Sequence, residues 1–386
     1  MSKDYSAEIM SEPIKGKVKL ALEIDGLVVS ALIDSYYIPY GVIKSFSWQD
    51  RSVRIFTADK SFTISRLGNL GESFFHELFK SYNSKVRQAL FVKGSPSFQT
   101  RANYRYVESE VMVQGTAVIE VYENCILVLP PNERARRIPL CFANSLGKAD
   151  FGLSLKLNTG ECYCFGRLGL ETEVFVHHIE RSLHSLREKN LRAIRDIDTR
   201  LNMQQIADIA RIMPEGAAVP LIRLHQIAPS FVRSLEAKIA DSRVASEYQF
   251  FKQNFDIGQL CVGVKRSLHG EKSENIIWLI APGKNADTAA VEFAVSEETA
   301  TATFLYGSFT DWEVFLRKLN QSMEAIEFRR EVIRLSDKEL LKPECAQYAM
   351  AVERNPALQY VRRHFSGRLI HSSPERWKQE LISFMA

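Results

Sequence analysis

The stretch Ser61–Ser81, SFTISRLGNLGESFFHELFKS, decides the fold, because it returns at Glu161–Ser182 as ECYCFGRLGLETEVFVHHIERS. An Arg-Leu-Gly, a glutamate, a phenylalanine and a histidine keep their order in both stretches, at an offset of 101 residues. Upstream the offset is 100, as in the Ile-Pro pairs at 38–39 and 138–139. Self-similarity of this length indicates a tandem duplication, which defines the folding unit before any single element is assigned.

Each copy combines two hydrophobic periods. In the first copy, an Asp25-Gly26 turn between apolar runs predicts a β-hairpin, and later runs alternate apolar with polar residues as half-buried strands do. After the Arg-Leu-Gly the apolar residues recur at helical spacing, which predicts an amphipathic helix from about Glu72 to about Leu90. The unit is therefore predicted to be an antiparallel meander followed by one helix.

The second copy repeats this pattern around a hairpin turn at Glu123-Asn124. Its helix is predicted to continue to about Met213, where Pro214 breaks it. Apolar residues over 179–197 approximate heptads, and two interpretations stay open. This helix forms a coiled-coil seam between copies of a homo-oligomer, or it is an amphipathic helix that packs on its own chain.

A meander of several strands with a C-terminal helix, about 100 residues long, resembles the pleckstrin-homology-like (PH/GRAM-like) domains. The resemblance rests on the Ile-Pro strand, the short hairpin and the final strand that ends in arginine, and it covers about residues 15–190. It implies an α+β fold with tandem PH-like antiparallel barrels, each capped by a C-terminal helix.

From about Tyr248 onward strand character returns and is followed by an amphipathic helix with Asp311 as its N-cap, which predicts a third, diverged unit of the same class. Prolines break the last part of the chain into helices. The predicted organisation is an N-terminal segment (1–14), PH-like domain 1 (15–95), PH-like domain 2 with an extended helix (107–213), a helical connector (214–247), a third meander with a helix (248–335) and a helical C-terminal segment (336–386).

Composition narrows the class of protein. The formal net charge is +4, from 50 basic and 46 acidic residues, which is smaller than the excess typical of nucleic-acid-binding proteins. The N-terminus lacks the basic and apolar regions of a signal peptide, and no apolar run reaches the length of a membrane span. The six cysteines form no CxxC pair and are interpreted as reduced thiols. We therefore expect a cytoplasmic protein.

Five residues are candidates for binding a partner or an anion. Arg66 and Arg167 end the last strand of each copy, where a repeated guanidinium suits an anionic group. The alternative for both is structural, with the stem on the sheet and the head paired to a neighbouring acid. Trp48 is a candidate exposed aromatic residue, and Arg136 and Arg137 belong to the basic run that begins at Arg134.

No motif in the sequence carries a recognisable catalytic chemistry. Glycine-rich phosphate-binding motifs and a GxSxG nucleophile are absent. Glu180 and His184 lie one helical turn apart beside two further histidines, but no HExxH motif is present and the sequence does not predict which residue would be a third ligand. We therefore predict no catalytic residue, no metal and no cofactor.

Three function classes remain. A non-enzymatic scaffold that binds a protein partner is favoured, because PH-like domains bind peptides between a sheet edge and the helix. The first alternative is binding of nucleic acid or an anionic membrane through basic clusters at 134–137, 329–330 and 362–364. The second is an enzyme whose site lies in the C-terminal part, with these candidate groups: Asp256, Glu292, Asp311, His364, Arg368 and His371.

Overall fold

A computed structural model describes residues 4–12, 14–108, 110–149, 152–266, 275–294 and 302–386. The predicted α+β class is confirmed: within these residues the chain forms three antiparallel sheets and twelve α-helices. Two sheets belong to the duplicated units, which we call repeat 1 and repeat 2. The third sheet and most of the helices form a C-terminal unit.

Repeat 1 is a seven-stranded antiparallel sheet followed by one long helix. The strands lie in the order β4-β3-β2-β1-β7-β6-β5, so the first and last strands of the unit are neighbours at its centre. Short 3-10 turns at Tyr40–Val42 and Gly68–Leu70 follow the fourth and seventh strands. The elements are β1 (Asp4–Met10), β2 (Lys15–Leu22), β3 (Gly26–Ser30), β4 (Ser35–Pro39), β5 (Ser45–Gln49), β6 (Ser52–Phe56), β7 (Ser61–Ser65) and α1 (Gly71–Ala89).

Repeat 2 has the same topology. Its order is β11-β10-β9-β8-β14-β13-β12, and 3-10 turns recur at Leu140–Phe142 and Gly169–Glu171. The elements are β8 (Phe98–Glu108), β9 (Val111–Val121), β10 (Cys125–Leu129), β11 (Arg136–Pro139), β12 (Ala143–Ala149), β13 (Gly152–Leu157), β14 (Cys162–Gly166) and α2 (Thr172–Ile197).

The Arg-Leu-Gly corner explains why the duplication kept these residues. Arg66 and Arg167 both have φ of 57°, and Gly68 and Gly169 have φ of 58° and 56°. A left-handed glycine turns the chain from the last strand into the helix at little steric cost. Phe74 and Phe175 then reach equivalent places, each fully buried under its own sheet. The backbone conformation of the corner is therefore the same in both repeats, and the phenylalanine that follows it is buried in both.

The two sheets differ from the prediction in one respect. The sequence predicts barrels, but pairing among the described strands leaves both sheets open, with β4 and β5 as the outer strands of one and β11 and β12 as those of the other. An open sheet has two edges whose backbone groups need partners. Two of these edge strands, β5 and β12, border the candidate binding grooves.

The C-terminal unit is a six-stranded sheet in the sequential order β15 to β20, with helices around it. This order lacks the central pairing of first and last strands seen in the repeats, so the meander is confirmed but its topology differs from theirs. The elements are α3 (Met203–Ile212), β15 (Val219–Pro220), α4 (Leu221–Ile227), α5 (Pro229–Ala240), α6 (Ala245–Asn254), β16 (Cys261–Arg266), β17 (Asn275–Pro282), β18 (Thr288–Ala294), β19 (Ala302–Gly307), α7 (Trp312–Ala325), α8 (Glu331–Arg334), α9 (Asp337–Leu340), α10 (Ala346–Glu353), α11 (Pro356–His364), β20 (Phe365–Ile370) and α12 (Pro374–Met385).

Several predicted boundaries shift. The segment 1–14 contains β1, which buries Tyr5, Ala7 and Ile9 on alternate positions at the centre of the first sheet. Repeat 2 begins at Phe98 rather than 107, because β8 pairs along its whole length with β9. The connector contains the short strand β15, and the helical C-terminal segment contains β20, which pairs with β19.

The second helix also ends earlier than predicted. Asp198 is extended (φ −140°) and accepts hydrogen bonds from Arg200, which interrupts the helical backbone. A new helix then begins at a capping box between Asn202 and Gln205. This capping box favours the start of a new helix over the continuation of α2, because it satisfies the first backbone N–H groups of α3.

Replacement of Gly68 or Gly169 by alanine will lower the free energy of unfolding by about 1 kcal/mol each, because an added Cβ disfavours the left-handed conformation. Nothing lies within 4 Å of a Cβ placed at either residue, so strain and not a clash is tested. Chemical denaturation measures the effect. Gly147→Ala is the matched control, since its site is equally open and its φ is not left-handed. Equal effects at all three glycines would contradict this explanation of the corner.

Candidate peptide-binding groove

Repeat 1 has an aromatic groove between its edge strand β5 and helix α1. Phe46 on β5 is 2% exposed, and its ring centroid lies 5.8 Å from that of Phe75, 6.0 Å from Phe79 and 5.1 Å from Tyr82. The three helical residues recur at spacings of four and three, which places them along the helix face that meets the strand. One face of α1 is therefore lined with aromatic rings that lie opposite the edge strand β5.

The chain itself fills this groove. The connection 130–133 between β10 and β11 lies along β5: the Phe46 N–H donates to the Pro131 carbonyl (3.0 Å), and the Glu133 N–H donates to the Lys44 carbonyl (2.9 Å). A single antiparallel bridge joins the two segments between these bonds. An extended segment that pairs with a sheet edge and covers an apolar groove is the geometry of strand addition. In this protein the added segment belongs to repeat 2 and pairs with the edge of repeat 1 in the same chain.

Tyr82 joins all three units at this groove. Its hydroxyl donates to the Asn132 carbonyl of repeat 2 (3.1 Å) and accepts a hydrogen bond from Arg354 Nη2 of the C-terminal unit (2.8 Å). Burial raises the pKa of Tyr82, so the hydroxyl stays protonated and can donate. Beside it, Arg87 of α1 makes two hydrogen bonds of 2.8 and 2.5 Å to Glu120 of β9, which is 1% exposed.

Repeat 2 has the equivalent groove between β12 and α2, in the same register. Residues 45 and 56 pair in repeat 1, and residues 145 and 156 pair in repeat 2. The lining is smaller and less aromatic, although its three apolar members pack on the second core. The equivalent positions are Leu146 for Phe46, Val176 for Phe75, Glu180 for Phe79 and Leu183 for Tyr82.

This second groove is open where the first is filled. Strand β12 ends its sheet with β13 as its one sheet neighbour among the described strands. Asn144 and Ser145 are exposed, whereas Lys44 and Ser45 are half-buried, and Leu146 is half-buried where Phe46 is buried. Within the described residues no strand pairs with the outer edge of β12, which lies beside the half-buried apolar residues of the second groove. An exposed strand edge next to an apolar surface is the arrangement that accepts an added strand.

The predicted site residues of repeat 1 lie outside its groove floor. Trp48 is half-buried over the first turn of α1, where a Cβ at Gly71 would collide with its ring. Arg66 is exposed, and its Nε lies 2.6 Å from a carboxylate oxygen of Glu8. Arg167 is exposed in repeat 2. For Arg66 the geometry matches the structural alternative, an arginine paired with a neighbouring acid.

The other two candidates are buried. Arg136 is 5% exposed and donates to both oxygens of Glu108 (2.5 and 2.6 Å). Arg137 is 8% exposed and donates to the last two carbonyls of α7 (3.0 and 2.7 Å), where it caps the helix and complements its dipole. Arg136 and Arg137, which the sequence suggested as binding residues, therefore direct their charges to partners inside the chain.

The other basic clusters are also largely used within the chain. Arg330 is 7% exposed, and its guanidinium lies 4.8 Å from the ring centroid of Phe293 and 5.7 Å from that of Phe304. Arg362 donates to carbonyls of α8 and pairs with Asp337 (2.8 Å). Stacking and capping of this kind bury the charge that a nucleic acid or a lipid head group would need.

Of the C-terminal candidates, the fold brings Glu292 and His371 together. The His371 ring lies between Glu247 (Nδ1, 3.2 Å) and Glu292 (Nε2, 3.3 Å), and its Nε2 is 2.9 Å from the Thr303 hydroxyl. Thr303 donates its proton to Glu292 (2.6 Å) and accepts from the Trp377 indole (2.7 Å). Thr303 is fully buried and its proton is already donated, so its hydroxyl is not a free nucleophile. The cluster joins α6, β18, β19 and α12 to the turn that follows β20.

The remaining candidates are dispersed. Asp311 caps α7 as predicted, with its side chain accepting from the Val314 N–H (3.0 Å). Asp256 accepts from a backbone N–H in its own turn, His364 contacts the Gly307 carbonyl, and Arg368 is exposed on β20. Nowhere in the described ranges do three His, Cys, Asp or Glu side chains come together as a metal site would require.

The apolar face of helix α2 packs against other parts of the same chain. Ile179 and Leu186 are buried in the core of repeat 2, and Ile194 and Ile197 in the core that repeat 2 shares with the C-terminal unit. This is the packing expected of an amphipathic helix on its own chain, and it leaves these residues unavailable as a seam between copies. In the part of the chain that the structure describes, no helix is both long and apolar enough to cross a membrane.

No protein-family model and no curated protein matches this sequence. The grooves are thus interpreted from their geometry. Sequence reasoning missed the lining of the second groove, yet a signal was present: four aligned positions change together from aromatic residues to aliphatic or acidic ones.

Tyr82→Phe will lower the free energy of unfolding by about 1–3 kcal/mol, because it leaves the Asn132 carbonyl and an Arg354 N–H buried without their partner. Chemical denaturation measures the change. Tyr37→Phe, which removes an exposed hydroxyl, is the control and should stay close to wild type. A loss confined to the control variant, or absent from both, would contradict the role given to Tyr82.

His371 will make stability depend on alkaline pH. Burial opposes its charge, but hydrogen bonds to Glu247 and Glu292 outweigh burial and raise the pKa of His371 to about 9. The ordinary pKa is 6.5, so the stabilisation is complete below that pH and is lost as the pH rises through 9. Its full size is on the order of 3 kcal/mol. Unfolding measured from pH 6 to pH 10 should show this decline in wild type and its absence in His371→Gln.

Proposed function

We propose that the protein is a non-enzymatic scaffold in which two PH-like repeats are fused, and that it binds an extended segment of a partner protein in the groove between β12 and α2. The observation that carries the proposal is the filled groove of repeat 1. A groove of the same topology and register is already covered there by an extended segment that pairs with the edge strand, and the flanking residues Leu129 and Ala135 pack in the core of repeat 1.

The PH-like assignment is supported by strand order and by the helix. Both repeats place their first and seventh strands side by side and end in a helix that covers the sheet. Duplicated binding modules diverge when one copy takes a new ligand, and the changed lining of the second groove fits that history. Its half-buried floor of Leu146, Val176 and Leu183 suits aliphatic side chains of a bound segment more than rings.

A protein segment is favoured over a nucleic acid or a membrane surface. The groove floor is apolar, and its rim mixes the acidic Glu180 with the basic Lys148 and Arg187. A phosphate backbone or an anionic bilayer requires a continuous excess of positive charge. A peptide strand requires backbone donors and acceptors, which the edge of β12 provides.

A display selection tests the proposal. Random peptides are selected on the immobilised full chain and then measured against Val176→Arg and Val174→Arg. Val176 is half-buried at the position of Phe75, facing β12, whereas Val174 is 47% exposed on the far side of the same helix. Val176→Arg should weaken binding by at least about tenfold, because a buried apolar contact is replaced by a charge. Val174→Arg should bind as wild type does.

The selected peptides provide a second readout. Methylation of alternate backbone nitrogens should abolish binding, because strand addition uses N–H groups on one side of the peptide. Peptides that bind both variants equally, or a chain that retains a generic duplex or anionic vesicles but enriches no peptide, would overturn the proposal. Thermal melting of both variants confirms that each is folded.

A further inference from the structure

A cavity of about 670 Å³ lies at the junction of repeat 2 and the C-terminal helices, and none of the residues that line the second groove belongs to its walls. Its walls come from the ends of β8 and β14, strand β11, the end of α1, and helices α7, α10 and α11. Cavities of a few hundred to about 1,000 Å³ between such layers are the usual places for small ligands. The wall residues on which the inference depends are Tyr106, Arg136, Tyr163, Lys318, Arg354 and Arg363.

Buried polar atoms without a partner collect at this cavity. Three residues that line it, Arg137, Arg354 and Gln321, are each less than one tenth exposed, and each has a side-chain atom that finds no hydrogen-bond partner among the described residues. Two of these atoms are Nε donors of arginine, and one is the Oε1 acceptor of glutamine. Unpaired groups of this kind cost free energy unless a bound molecule or water satisfies them. The excess of donors favours a molecule rich in acceptors.

The charged residues of the cavity walls give a second reason to expect a ligand rich in hydrogen-bond acceptors. Four of the wall cations are matched by acids: Arg136 pairs with Glu108 (2.5 Å), Lys318 with Glu161 (3.4 Å), Arg137 with Glu324 (3.5 Å) and Arg354 with Glu353 (2.9 Å). Arg363 differs, since it is exposed and its guanidinium lies 6.0 Å from the ring centroid of Tyr360, with no acidic partner among the described residues. The cavity therefore keeps one uncompensated positive charge at its rim.

The remaining wall is largely aromatic. Tyr106 and Tyr163 have ring centroids 5.5 Å apart at the end of the second sheet, and Tyr360 lies across the cavity on α11. Ring faces of this kind favour flat unsaturated molecules. We propose that the cavity binds a small organic anion with a flat ring, held by a carboxylate or phosphate at Arg363 and by its ring among the tyrosines.

The fluorescent anion 8-anilino-1-naphthalenesulfonate tests this inference on the full chain. We expect saturable binding of one molecule per chain, with a Kd raised at least about tenfold by Arg363→Ala, because one charge-assisted contact is lost. Arg101→Ala is the control, since Arg101 is exposed on the same sheet outside the cavity and should leave Kd unchanged. Because Arg363 is exposed, its removal should not alter the melting temperature.

Displacement identifies the anionic group. Release of the dye by adenosine 5′-monophosphate but not by benzoate assigns a phosphate, and the converse assigns a carboxylate. Binding of several dye molecules with no effect of Arg363→Ala, or no saturable binding at all, would overturn the inference. The peptide groove is read out separately through Val176→Arg, so each proposal can fail without the other.

Discussion

The structure depends on how the edges of two open sheets are covered. A terminal strand carries backbone donors and acceptors along its outer side, and these groups must find partners or face water. Repeat 1 satisfies part of the edge of β5 with a segment from repeat 2, and α7 packs beside the edge strand β11 of repeat 2, where the Arg137 side chain donates to the last two carbonyls of the helix. These edge contacts and the hydrogen bonds of Tyr82 hold the three units together.

The two repeats show how one topology serves two purposes. Their strand order, register and corner conformation agree, while the side chains at the edge groove differ. Aromatic rings in repeat 1 pack at a joint inside the chain. The equivalent positions of repeat 2 hold aliphatic and acidic side chains that are half-buried or exposed. The scaffold proposal rests on this contrast, since a groove that the fold uses once as an internal joint recurs in repeat 2 with no described segment paired to its edge strand.

Local patterns in the sequence predicted much of the fold. The hairpin turns, the start of α1 and the Asp311 cap depend on neighbouring residues, and each is present where the pattern indicated. Strand β1 was missed although Tyr5 and Ile9 alternate with polar residues, because a short strand at the sheet centre takes its stability from distant partners.

The candidate site was harder to predict for the same physical reason. Whether an arginine is solvated depends on acids that lie far away in the chain, as Glu108 does from Arg136 and Glu324 does from Arg137. No spacing rule encodes such pairs. The groove, in contrast, could have been found from the duplication alone, because aligned positions that change from rings to aliphatic or acidic residues mark a surface whose surroundings differ between the two copies.

The insertion of repeat 2 into the groove of repeat 1 is a head-to-tail contact between two versions of one module. Between identical free modules, such a contact would repeat without limit and generate rings or filaments. Fusion in one chain makes this contact once, between the first groove and the connection that follows β10. The second groove has Leu146 and Glu180 where the first has Phe46 and Phe79, so a further copy of the same connection would meet a different surface there.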